Sequence, residues 1–246
     1  MGNQMGVERR VTSLIAISCA SAVVMLAGAT STVAEEPVVA YGPSDAQSVA
    51  VLSGLPGYKN VFWWDHANLT VSVRAGESVE PNNLQALHDA VQIWTKTLDD
   101  EFHGAISLTD VTGARKPVSP DIILRYVPHA GGTQWGGVTN CGVQKCLNVI
   151  VRSDTPDGHS DAPDAADFDR LRVERVAVHE LGHTLGLGHA SPLLTARDLM
   201  GYGWSVVDPD VTPILSDCDL RGVRAAFGWV FANEAPHPSR VGSVTC

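Results

Sequence analysis

Residues 179–189 read HELGHTLGLGH, three histidines and a glutamate interrupted by three glycines. On a helix, residues four apart stand one above the other on the same face, so His179 and His183 can aim their rings at one point. Glu180 comes next around the helix, within reach of whatever the two imidazoles hold. His189 does not fit the same helix, because unbroken winding would carry it roughly 15 Å along the axis and onto another side. The chain must end its helix and turn back. Gly186 stands where a glycine in the left-handed conformation closes a helix and reverses its direction.

Three convergent imidazoles describe a zinc site. A structural zinc closes its fourth position with another side chain, whereas three protein ligands leave that position to water. The bound metal lowers the pKa of such a water, and Glu180 is the carboxylate placed to take its proton and pass it to a leaving group. The expectation is one catalytic Zn2+ held by His179, His183 and His189, with Glu180 as general base. The metal does not choose the bond, so a non-peptide substrate stays open beside a peptide. A rival of another class is a secreted zinc-containing binding or adhesion module with little or no peptidase activity. The intact Glu180 counts against it, since a decayed enzyme has no use for a base beside its metal.

The elements that must carry these residues can be read around them. The site helix is expected from Asp167 or Asp169 to about Leu185, with Leu171, Val178 and Leu185 toward the core and Arg172, Val176, His179 and His183 toward a cleft. Pro81 opens an earlier helix whose Leu84, Leu87, Val91, Trp94 and Leu98 recur at spacings of three and four. NLTVSVR, AISLTDV, DIILRYV and LNVIVRS read as strands. An extended substrate could pair with an edge strand supplied either by the segment around 132–137 or by LNVIVRS. LSDCDLRGVRAAFGW reads as a closing helix with Ser216 at its N-cap.

At the scale of the chain, 246 residues with 44% hydrophobic content suit one domain. A formal charge of −10 without a basic tract argues against a nucleic-acid partner. Arg9 and Arg10, the apolar run VTSLIAISCASAVVMLAGA and the small residues Thr32 and Ala34 have the layout of a signal peptide over 1–34, with an uncleaved anchor as the competing reading. Residues 35–60 read as a leader or short pro-segment, and 61–246 as the catalytic domain. Cys141, Cys146, Cys218 and Cys246 remain, an even set that favours disulfides in an exported chain. Of three pairings, Cys141–Cys146 and Cys218–Cys246 are favoured, the first across NCGVQKC and the second tying down the C-terminus. The aspartate-rich stretch SDTPDGHSDAPDAADFD makes Ca2+ possible, but no specific ligand motif supports it. The whole describes a secreted or cell-envelope monomer with a protein or peptide substrate and no stable membrane association once the signal is removed.

The pattern His179-Glu180-x-x-His183-x-x-Gly186-x-x-His189, followed by Met200 in DLMGY, resembles the metzincin zinc endopeptidases. The early helix with Trp94, the strand DIILRYV, the site helix and LSDCDLRGVRAAFGW are similar in order and spacing to the matrixin branch. The resemblance implies an α+β fold: a twisted mixed β-sheet with two long helices in an N-terminal lobe, a zinc cleft, and a smaller irregular C-terminal lobe with one helix. It implies that Met200 forms a hydrophobic floor beneath the zinc ligands. Tyr202, two positions later, has the spacing of a tyrosine that stabilises the oxyanion in some branches, and packing near the substrate pocket is an equal alternative. The chain departs from matrixins in lacking a PRCGxPD-like segment between 35 and 60, in Ala190 after the third histidine, and in having no recognisable second zinc segment.

Overall fold

The computed structural model describes residues 40–55, 63–75, 81–116, 118–127, 136–142, 144–151, 165–195, 197–201 and 214–246. All belong to the compact unit Glu36–Cys246. The signal segment, the aspartate-rich stretch over 152–164 and Tyr202 lie outside the described residues.

The strands are β1 (Ala40–Gly42), β2 (Ser48–Val51), β3 (Asn68–Ala75), β4 (Ser107–Asp110), β5 (Ile122–Tyr126), β6 (Gly137–Gly142), β7 (Lys145–Val151), β8 (Leu187–Ser191), β9 (Ile214–Ser216) and β10 (Ser243–Thr245). Two long helices, α1 (Pro81–Phe102) and α2 (Ala165–Thr184), precede two short ones, α3 (Asp217–Ala226) and α4 (Gly228–Ala232). The fold is mixed, with a five-stranded sheet in the order β4-β3-β5-β7-β6. Its first four strands run parallel, and β6 pairs antiparallel at the edge. LNVIVRS therefore falls in β7, paired on both sides, and the edge strand is β6, which shares only 136–137 with the segment 132–137, whose residues 132–135 lie outside the described residues.

In β3, Leu69, Val71 and Val73 alternate inward and are buried, as a half-covered strand requires. α1 lies over β3, β4 and β5, α2 lies over β6 and β7, and the two helices pack on each other. Of the stripe read from α1, Leu87, Val91, Trp94 and Leu98 are in the core, and Leu84 is half-buried against it. α2 differs. From Val173 to Gly182 every residue is buried, so this part of the helix is covered all round and its sequence carries little periodicity. Leu171, expected in the core, is only half-buried.

The closing segment reads as one helix in sequence but divides in space. α3 stops at Ala226, and Phe227 caps it before α4 begins at Gly228. Ser216 caps α3 through a capping box, its hydroxyl accepting from the Asp219 amide while the Asp219 carboxylate accepts from the Ser216 amide. Cys141 is bonded to Cys146 and Cys218 to Cys246. Among the described residues no helix is long and apolar enough to cross a membrane.

The stretch read as a leader carries structure. β1 pairs parallel with β9, and β2 is the middle strand of a sheet ordered β10-β2-β8. Short strands without a visible period become recognisable only through partners more than a hundred residues away.

Candidate metal centre

α2 delivers two imidazoles and one carboxylate, and β8 delivers the third imidazole. Gly186 sits between them with φ +93°, the left-handed turn that the spacing demands. Leu185 and Gly186 close the helix by donating to the carbonyls of Leu181 and His183. The chain then enters β8 antiparallel to β2. The register runs Val49 to Ala190 but Val51 to Leu187, so an extra residue bulges at Gly188–His189 opposite Ala50. Bulges re-aim side chains, and this one sits at the third histidine.

The ligand nitrogens of His179, His183 and His189 lie within 4.8 Å of one another. His183 stands edge-on to both neighbours, at ring distances of 4.8 Å from His179 and 4.9 Å from His189. Two rings are oriented by backbone carbonyls. His179 Nδ1 donates to Leu199 O at 2.6 Å, and His183 Nδ1 donates to Leu187 O at 2.8 Å. With Nδ1 carrying the proton, Nε2 is the atom through which each ring could bind a metal.

Burial drives all three imidazoles toward the neutral form that a metal requires. It takes His179 well below its usual range, with help from His183, and takes His183 down to about 4 against the pull of the Leu187 carbonyl. His189 is lowered by the same cause. The donor set fits a zinc ion: three imidazole nitrogens, two of them on carbonyl-oriented rings, with no further His, Cys, Asp or Glu joining the cluster among the described residues.

Glu180 is buried beside the cluster. Burial pushes its carboxyl up to about 7, opposed by a hydrogen bond from Thr139. A bound cation would act in the opposite sense and favour the ionised form.

The segment carrying Met200 is tied to both histidine-bearing elements. Leu199 O accepts from His179, and Met200 O accepts from the amide of Ala190, next to His189. Met200 is fully buried, and a Cβ added at Gly182 would lie 2.6 Å from its sulfur. The side chain expected as a floor thus packs directly against the helix between His179 and His183.

The motif does not announce several supports. Trp64 Nε1 donates to Thr184 O, and Trp94 Nε1 donates to Val178 O, each at 2.8 Å. Two buried indoles therefore brace the back of α2, since a buried indole N–H needs a partner. Thr139 on β6 bonds Glu180 directly. Both tryptophans are plain in the sequence, but their partners lie 120 and 84 residues away.

No protein-family model matches the chain. Among solved structures it is similar to the ECX AB5 holotoxin in its GM1-bound form, at 15% identity over 73% of this chain and 88% of that one, with a TM-score of 0.42. It is also similar to archaemetzincin from Methanopyrus kandleri, at 16% identity over 66% of this chain and 97% of that one, TM-score 0.38. A third similarity is to high choriolytic enzyme 1, a hatching-enzyme zinc protease of the medaka fish Oryzias latipes. There the identity is 13% over 70% of this chain and 94% of that one, with a TM-score of 0.37. Identities this low fix no family.

Proposed function

We propose that this chain is an exported zinc-dependent endopeptidase of metzincin type. One observation carries the reading: three neutral, converging imidazoles stand next to a buried carboxylate, with no fourth side-chain donor among the described residues. That is the composition of a catalytic rather than a structural zinc site.

His179, His183 and His189 would hold the ion, which when bound supplies a Lewis acid and an acidified water. The protein's own groups do the rest. Glu180 accepts the proton of the attacking water on its carboxylate and returns it to the departing amine nitrogen. Leu199 O and Leu187 O keep two of the imidazoles in the ligating tautomer. β6, unpaired on its outer side among the described residues, offers backbone donors and acceptors to an extended polypeptide. Tyr202 is proposed as an oxyanion donor on its spacing from Met200 alone. Two disulfides agree with an oxidising, extracytoplasmic location.

The test sets wild type beside Glu180→Ala and chelator-treated protein, with unfolded casein and a mixed peptide library as substrates and bound zinc quantified in each. Wild type should bind one zinc per chain and cleave. Glu180→Ala should keep its zinc and lose about 10²–10⁴-fold in rate, the usual worth of a general base. Stoichiometric zinc without cleavage would favour a binding module. Folded wild type that takes up no zinc would end the proposal.

A further inference from the structure

The base of the proposed reaction is gripped from the edge strand. Side chains two apart on a strand face the same way, so Gly137 and Thr139 of β6 share one face, and that face meets α2. Thr139 Oγ1 lies 2.6 Å from Glu180 Oε2 and 3.0 Å from Glu180 O. A hydroxyl has one proton to give, and the shorter contact, to the carboxylate, takes it. At Gly137 an added Cβ would lie 2.5 Å from Glu180 Oε1 and 2.7 Å from Val176 Cγ1, so only glycine lets the strand come this close. Cys141, the next residue on the same face, is bonded to Cys146 at the start of β7. The bond falls beside the irregularity at Asn140–Gly142, where the β6 register could otherwise slip.

We propose that Thr139 is the positioning residue for Glu180: it fixes Oε2, Gly137 leaves room for Oε1, and the Cys141–Cys146 bond holds the strand in the register that places both. The inference rests on the peptidase reading above and adds a strand residue that the zinc motif does not contain. Oε1 accepts no hydrogen bond from the described residues, so it is the oxygen left to exchange a proton with water. The strand that would receive the substrate then also sets the orientation of the base.

Thr139→Val keeps shape and strand propensity and removes the hydroxyl, whereas Thr139→Ser keeps it. Zinc-loaded Thr139→Val should retain one zinc per chain and a KM within about twofold, and lose about 10–100-fold in kcat, as expected when a group supporting a metal site is removed. Thr139→Ser should recover to within about threefold of wild type on the same basis. Crystal structures supply a readout independent of activity. Glu180 should occupy one rotamer with Oε2 on Thr139 Oγ1 in the wild type, and several rotamers in Thr139→Val. The inference is overturned if Thr139→Val keeps its kcat, if the loss falls on KM alone, if folded Thr139→Ser is as slow as the valine variant, or if wild-type crystals show Glu180 away from Thr139. Wild type that binds zinc but cleaves nothing overturns the peptidase reading instead, and the crystallographic comparison still decides the contact.

Discussion

At the scale of single residues the site is governed by close approach. Gly182 lies between the first two histidines, and a methyl there would meet the Met200 sulfur at 2.6 Å and Trp94 Cζ2 at 3.5 Å. Two effects oppose each other in Gly182→Ala: alanine gains about 1 kcal/mol of helix propensity, and overpacking a dense core costs about 1–3 kcal/mol. Met200 is fully buried and its carbonyl is held by Ala190, so it has little room to retreat. Gly182→Ala should therefore lower stability and weaken zinc binding in the wild-type background. In Met200→Ala, where the sulfur is gone, the same change should raise stability by up to about 1 kcal/mol. Urea unfolding of the four proteins of this cycle checks the reversal, and an equal effect in both backgrounds would show that Met200 does not restrain the helix. Gly186 and the three histidines were legible because motif spacing is local. Thr139 was not, since nothing in GVTNC indicates that its second side chain meets a carboxylate 41 residues on.

At the scale of elements, legibility followed coverage. α1 has one buried face and reads at once. α2 is covered on all sides from Val173 to Gly182, so its place was found from its chemistry rather than its period. β1 and β2 were missed because three or four residues carry too short a pattern. α3 shows what a cap can cost. Asp219 is fully buried, Oδ2 takes the bonds from Ser216, and Oδ1 has no partner. Burial, despite those hydrogen bonds and with Asp198 adding to it, pushes the carboxyl up to about 7 from 3.8. The folded state then holds this proton more tightly than the unfolded chain. The group's contribution is intact below the unfolded pKa and is lost as pH rises through the folded one, a difference on the order of 4 kcal/mol at about 1.4 kcal/mol per pKa unit. Asp219→Asn can still accept from Ser216 and has no charge to bury. Its stability relative to wild type should climb between pH 4 and 8 in chemical denaturation of the zinc-loaded proteins. A difference that does not change with pH would place the Asp219 titration elsewhere.

At the scale of the whole molecule, residues 44–52 are bonded to the elements on either side of His189. Leu52 N donates to Gly186 O at 2.9 Å, on the turn that sends the chain back, and Gln47 N donates to Ser191 O at 2.7 Å, at the end of the strand carrying His189. Ser44 Oγ and Asp45 N both donate to the buried Asp198 carboxylate at 2.6 Å, two residues before Met200. Cys246 N donates to Gln47 O at 2.9 Å, which binds the disulfide-anchored C-terminus to the residue that leads into β2. Val49 and Val51 are fully buried, each worth about 1.5–3 kcal/mol when removed from water. A chain begun at Val61, the boundary read from sequence, would lose β1 and β2 together. It would leave one edge each of β8 and β9 unpaired and Asp198 buried without these donors, and an uncompensated buried carboxylate alone is strongly destabilising. A chain begun at Glu36 keeps every one of these contacts. Expressed side by side in an oxidising compartment, the longer chain should fold cooperatively and bind one zinc. The shorter should fail to bind zinc or should melt far lower by circular dichroism. Equal zinc content and equal melting would mean that β8 holds His189 in place unaided. The expected outcome instead makes β1 and β2 part of the scaffold around His189, and a maturation cut that preserves that scaffold would have to leave both strands on the chain.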